Sequence, residues 1–166
     1  ERDLSIPVRG ALNLSFARSY INEKGKHRGE YTSTTKPWMN NVGSGWTHNL
    51  NAHLRVATGA TPAYVTVYNA DGSGTSYDYD STSGGYDWYY RHVEGETGEK
   101  GNTLKRNTTT LAFTLEKASG MIYEFAPATA DAYAFARLES FRDDTGNTIT
   151  LSYDGANGTG KLTKAT

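Results

Sequence analysis

Apolar and polar positions alternate with a period of two along most of the chain, the spacing at which side chains share one face of a β-strand. Leu12, Leu14 and Phe16 fall on one face, with Tyr20 two steps beyond Arg18. A longer set, Trp46, His48, Leu50, Ala52, Leu54 and Val56, alternates with Thr47, Asn49, Asn51, His53 and Arg55. Shorter sets are Val65/Val67, Tyr77/Tyr79, Tyr86/Trp88/Tyr90, Leu111/Phe113/Leu115, Tyr123/Phe125 and Ile149/Leu151/Tyr153. Each predicts a strand that buries one face against a common core. Between them lie Asn69-Ala70-Asp71-Gly72-Ser73-Gly74, Ala118-Ser119-Gly120 and Asp144-Thr145-Gly146-Asn147. Gly and Asn accept the positive φ of tight hairpins, so these read as turns.

Three segments break the rhythm. Residues 22–45, with Pro37 and Trp38, read as an irregular insertion, and residues 94–109, polar and Gly-rich, as a mobile loop. The Ala-rich stretch from Pro127 to Arg137 fits a short helix, yet Tyr133 and Phe135 alternate equally well as a strand. Elsewhere the pattern repeats. The run from Phe113 to Gly120 parallels that from Val65 to Gly72, and Gly120 to Phe125 parallels Gly74 to Tyr79. Arg137-Leu138 recurs as Lys161-Leu162, 24 residues on. Such spacing predicts one stacked supersecondary unit, here a β-hairpin.

Composition agrees with an all-β fold of stacked antiparallel hairpins, a twisted sheet that is sandwich-like or part of a β-shell. The 166 residues include 18 Gly, 12 Tyr and only 2 Met, and suit one domain with its own core. There is no cysteine, hence no disulfide and no thiolate nucleophile or ligand. The 17 basic and 18 acidic side chains give a net charge of −1, without the clustered cations that a phosphate backbone requires. The nearest cluster, Lys24, Lys26, His27 and Arg28, is broken by Gly25 and closed by Glu30, as in a solvated loop. No nucleic-acid partner is expected, and no stretch approaches the ~20 apolar residues of a membrane span. The chain opens on Glu1 without a leader and closes on the strand-like Lys161 to Thr166, so it is expected to be a piece of a longer polypeptide.

Catalytic chemistry finds little footing. There is no Gly-x-Ser-x-Gly elbow; Ser44 lacks that spacing, and His48 reads as a packed, hydrogen-bonded strand residue. His27, His48, His53 and His92 do not converge in sequence, and His48 and His53, five apart, face opposite sides of a strand, which disfavours zinc. The run from Asn69 through Asp71, Ser73 and Gly74 to Asp80 loosely follows a calcium loop, but a hairpin tip explains it. Asp78 and Asp80 share a face as many surface pairs do. The sites Asn13, Asn107 and Asn157 match Asn-x-Ser/Thr as an Asn- and Thr-rich chain does by chance. The cluster Tyr86, Trp88, Tyr89 and Tyr90 offers flat rings to a sugar face, with the triplet expected in the core and Tyr89 on the surface. Trp38, Trp88 and Tyr89 are the candidate carbohydrate-binding residues. No cofactor is predicted, and no catalytic or metal-ligating residue.

The C-terminal run from Arg137-Leu138 through Gly146-Asn147 to Tyr153-Asp154, followed by Gly160-Lys161-Leu162-Thr163, resembles the tyrosine–aspartate (YD) repeats of Rhs proteins, with Lys161 in place of the usual Arg. Leu4 to Gly10, Leu14 to Tyr20, and Gly43-Ser44-Gly45-Trp46-Thr47-His48-Asn49 are similar to the domain preceding such repeats. The matches span about half of the chain by position; residues 22–42 and 94–109 lie outside them. The resemblance implies an N-terminal Rhs-associated β domain over residues 1–136 and a first YD-type repeat over 137–166, in one continuous sheet. Gly45, Trp46, His48, Gly146, Asn147, Tyr153 and Asp154 are its motif residues. It further implies a non-catalytic segment of a secreted or cell-surface bacterial protein, starting or capping a β-shell around a toxin effector. Its partner is then the rest of the same polypeptide, further repeats and a C-terminal effector. A strand edge at 160–166 is expected to lie open for them. The alternative is a carbohydrate-binding β module that recognises glycans.

Overall fold

The computed structural model describes residues 2–7, 13–20, 46–69, 73–90, 101–128, 134–154 and 161–166. Among them every regular element is a strand. β1 (Arg2–Pro7), β2 (Asn13–Tyr20) and β3 (Trp46–His48) form a three-stranded antiparallel sheet. The remaining strands are β4 (His53–Val56), β5 (Tyr64–Tyr68), β6 (Gly74–Ser83), β7 (Tyr86–Tyr90), β8 (Thr103–Asn107), β9 (Phe113–Glu116), β10 (Ile122–Phe125), β11 (Ala134–Arg142), β12 (Thr148–Tyr153) and β13 (Leu162–Ala165).

From β4 to β11 each strand pairs antiparallel with the next, and β11 pairs back with β4 through Ala134–Arg137, closing an eight-stranded barrel. Closure removes the sheet edges that an open array of hairpins leaves. The expected hairpins are therefore present, but they curl into one barrel. β11 is long enough to do two things on one edge. Its first half meets β4, and Ser140–Arg142 meets β12, which carries β13 outward as a two-strand extension.

Inward positions follow the period of two. Leu54, Val65, Tyr77, Tyr89, Leu104, Phe113, Phe125 and Leu138 are each at most 2% exposed and fill the barrel. The three-stranded sheet attaches through Phe16, which packs on this core, and through Asn49, which donates N–H to the Ala17 carbonyl and accepts the Ala17 N–H on its side chain.

Four expectations are corrected. The set from Trp46 to Val56 is two strands: Asn51 N–H turns back to the His48 carbonyl at 2.9 Å, where the chain leaves the small sheet for the barrel. The loop assigned to 94–109 contains β8; its inward residues are Leu104 and Arg106, so one of two core positions is charged and the apolar signal fails. Leu111 is no strand residue but sits exposed in a turn at φ 62°. The aromatic cluster is reversed: Tyr89 is fully buried beside Asp87, while Tyr86, Trp88 and Tyr90 face outward. Of the Ala-rich stretch, Ala134 onward is strand, and residues 129–133 lie outside the described set. Residues 22–45, with Trp38 and Gly45, also lie outside it, as do Asp71 and His92.

Candidate functional site

The repeat-like unit at the C-terminal end brings most of the motif residues together. Its turn is built by Asp143, which is buried. One carboxylate oxygen of Asp143 accepts the Thr145 N–H, the Thr145 hydroxyl and the Asn147 N–H at 2.8–3.0 Å, and the other accepts the Asn147 side-chain amide at 2.8 Å. These bonds, the Asn147 side chain first, hold the Asp143 carboxyl below its usual range. Gly146 closes the turn at φ 88°. The same design recurs. Asp143 N–H donates to Asn147 O, Lys117 N–H to Met121 O, and Asn69 N–H to Ser73 O, at 2.8–3.0 Å. Each pair spans a three-residue loop whose last residue is a glycine: Gly146, Gly120 and, by sequence, Gly72.

Tyr153 and Asp154 finish the unit. The Tyr153 hydroxyl donates to the Leu138 carbonyl at 2.6 Å, and the Arg137 guanidinium lies 4.3 Å from its ring centroid. The ring packs on Phe135, and burial pushes the phenol well above its ordinary range. Asp154 exchanges backbone and side-chain bonds with Lys161: its N–H donates to the Lys161 carbonyl at 3.1 Å and its carboxylate accepts the Lys161 N–H at 2.6 Å. Asp154 thus clamps the entry to β13. Thr150 and Thr166 exchange two bonds at 2.7 and 2.9 Å, pairing β13 along one side. On its other side β13 bounds the sheet, with no further strand among the described residues.

At the other end of the motif set, Trp46 pairs with Tyr20 through the backbone, and His48 pairs with Arg18. His48 is packed as expected, but its hydrogen bonds are missing: among the described residues neither ring nitrogen has a partner. Its ring lies 5.3 Å from Phe16, and burial lowers its pKa from 6.5 to about 4, so it stays neutral. His53 packs on another surface, stacked 5.1 Å from Tyr68, with Nδ1 3.0 Å from the Asn51 carbonyl.

Of the candidate sugar contacts, Tyr89 is withdrawn from solvent, and burial raises its phenol to about 12. A ring inside the barrel offers no face to a glycan. Trp88 does face outward, beside Tyr86, with the Lys105 ammonium 5.4–5.6 Å from both ring centroids. Lys105 is also paired with Glu116. Asp78 and Asp80 are exposed on β6, and among the described residues no three metal-ligating side chains converge.

Sequence patterning missed one internal feature. Arg106 donates from Nε and Nη2 to one oxygen of Asp87, and from Nη2 to the Ala60 carbonyl at 2.6 Å; the other Asp87 oxygen accepts the Thr82 hydroxyl at 2.6 Å. This satisfied ion pair plugs one end of the barrel. Its signal was the parity shared by Asp87 with Tyr89 and by Arg106 with Leu104.

No family model matches the chain, and no curated protein matches it. Among solved structures it is similar to the N-terminal domain of effector protein SpvB from Salmonella typhimurium strain LT2, with TM-score 0.56 and 13% identity, covering 99% of this chain and 63% of that one. The chain therefore spans less than two thirds of that structure's length, and at this identity the likeness is one of fold. The all-β fold described here is shared with the N-terminal domain of a bacterial effector protein.

Proposed function

We propose that this chain is a non-catalytic building segment of a secreted bacterial protein related to the Rhs/YD-repeat group, starting or capping a β-shell that encloses an effector. The observation that carries the reading is the β11–β12–β13 unit. Tyr153 ties the end of one ribbon to Leu138 at the start of the same unit, and Asp154 launches the next strand at Lys161. A unit that ends by launching a strand is suited to repetition, and the strand it launches bounds the sheet. The likeness to an effector's N-terminal domain supports the same context. So does the work done by Asp143 and Tyr153, which are engaged in turn and packing bonds.

Amide hydrogen exchange tests the reading, comparing this chain with a longer parent polypeptide. In β13 the Thr166 N–H faces β12, so by alternation the Ala165 N–H, on the regular side of the bulge at Thr163, faces away. It is expected to exchange rapidly here and to gain protection when downstream sequence is present. Equal exchange in the two chains, or a parent chain without successive ribbons, would overturn the reading.

A second reading, a carbohydrate-binding module, rests on the outward Trp88 and Tyr86 with Lys105 beside them. Glycan titration followed by tryptophan fluorescence tests it. Saturable quenching that Trp88→Ala abolishes favours it, and no response from the folded protein removes it.

A further inference from the structure

The two ends of the barrel differ. One is plugged by Arg106, Asp87 and the Ala60 carbonyl. At the opposite end, where β5 and β9 finish and β4 and β10 begin, a cavity of about 290 Å³ enters the barrel. Its floor is apolar, made by Val67, Leu115 and Phe125, all buried core residues. Its rim carries Asn49, Asn69, Lys117 and Tyr123.

Lys117 gives the cavity its chemical sense. Lys105 and Arg106 each meet a carboxylate, whereas the Lys117 ammonium has no carboxylate partner among the described residues and lies 5.2 Å from the Tyr123 ring centroid. A cation held over an aromatic face at the edge of an apolar hollow is partly desolvated already, which strengthens its attraction for an anion. Asn69 donates one amide N–H to the Ser73 hydroxyl and carries a second.

We propose that this barrel mouth binds a small carboxylic acid with an aromatic or branched apolar body. The body occupies the space over Val67, Leu115 and Phe125, and the carboxylate meets Lys117 at the rim. The volume lies at the lower limit of ligand pockets, about 300–1,000 Å³, which suits a single ring or a short branched chain and excludes a long lipid. One cation with few neighbouring donors suits a monoanion better than a phosphate, which calls for several charge-assisted bonds. The site is on the far side of the barrel interior from the Arg106 plug, and it does not depend on the shell reading.

Calorimetric titration of the whole chain with 4-phenylbutyrate, and with 4-phenylbutan-1-ol as its uncharged counterpart, tests the proposal. The acid is expected to bind saturably at one site, at least fivefold more tightly than the alcohol. Lys117→Met should bring the acid down to the alcohol's affinity and leave the alcohol unchanged. Nuclear magnetic resonance shifts on titration should map to Val67, Leu115 and Phe125. Absence of saturable binding, equal affinity for acid and alcohol, insensitivity to Lys117→Met, or shifts confined elsewhere would each overturn it.

Discussion

The phenol of Tyr153 on β12 donates to the carbonyl of Leu138 on β11 at 2.6 Å, crossing the ladder within one repeat-like unit. Leu138 is itself a barrel core residue, 2% exposed, so this bond ties the extension to the barrel wall. Tyr153→Phe keeps the ring under Arg137 and on Phe135 but removes the donor. Loss of a single buried bond of this kind costs about 1–2 kcal/mol. Urea unfolding should show a lower midpoint with an unchanged slope, because the folded surface is unaltered.

The Asp87–Arg106 pair should behave asymmetrically. Removing one partner strands a charge in the barrel, so Asp87→Asn or Arg106→Met is expected to destabilise by about 3–5 kcal/mol. Replacing both, as Asp87→Leu with Arg106→Met, removes the stranded charge and should recover most of that loss. A double-mutant cycle on thermal midpoints measures the recovery. Equal loss in the single and double variants would show that shape, not charge, governs this end of the barrel.

His48 predicts an acid limb in the stability profile. Its folded pKa of about 4 lies below its ordinary value of 6.5, so below pH 6.5 the unfolded chain takes up a proton that the folded chain refuses. The stability is therefore full above pH 6.5, falls as pH drops, and is lost by about pH 4, a total of about 3 kcal/mol. His48→Leu removes the ring nitrogens, which lack partners among the described residues, and should flatten this limb between pH 6.5 and 4 in chemical denaturation.

Two turn glycines with similar backbone angles should respond differently to alanine. Gly120 and Gly146 have φ of 84° and 88°. A methyl at Gly146 meets nothing within 4 Å, whereas one at Gly120 comes within 2.9 Å of the Asp144 Cβ. Gly146→Ala carries only the backbone strain, about 1 kcal/mol. Gly120→Ala adds a clash between the two hairpin tips, typically about 1–3 kcal/mol more. Thermal melts of the two variants should separate accordingly.

Local pairing was legible where chemistry and period agreed. The hairpins β5–β6 and β9–β10 were readable because Val65/Val67 and Phe113/Leu115 alternate cleanly and lead into glycine-ended turns. Parity failed in β7, where three outward aromatic residues outweighed Asp87 and Tyr89, and β8 was hidden because Arg106 occupies a core position. Both errors have one cause: a charge compensated inside the barrel mimics a surface position. Barrel closure was not legible at all, since Val56 and Ala134 meet across a long stretch of chain and no local pattern encodes a distant partner.

For the candidate site, the Gly146-Asn147 turn and the Tyr153-Asp154 step were visible as a motif, while the Leu138 carbonyl that receives the phenol was not. A backbone acceptor leaves no mark on residue choice. The barrel mouth was equally silent, because Val67, Leu115 and Phe125 look the same in sequence whether they line a hollow or fill one.

β11 serves as a stave of the barrel and as the rail on which the extension hangs. Tension drawn through β13 arrives at the seam only after the β12–β13 and β11–β12 rungs have opened in turn, like a zip ahead of a locked buckle. For force entering at the β13 end the extension is thereby a mechanical fuse, its ribbons met before the closed cylinder.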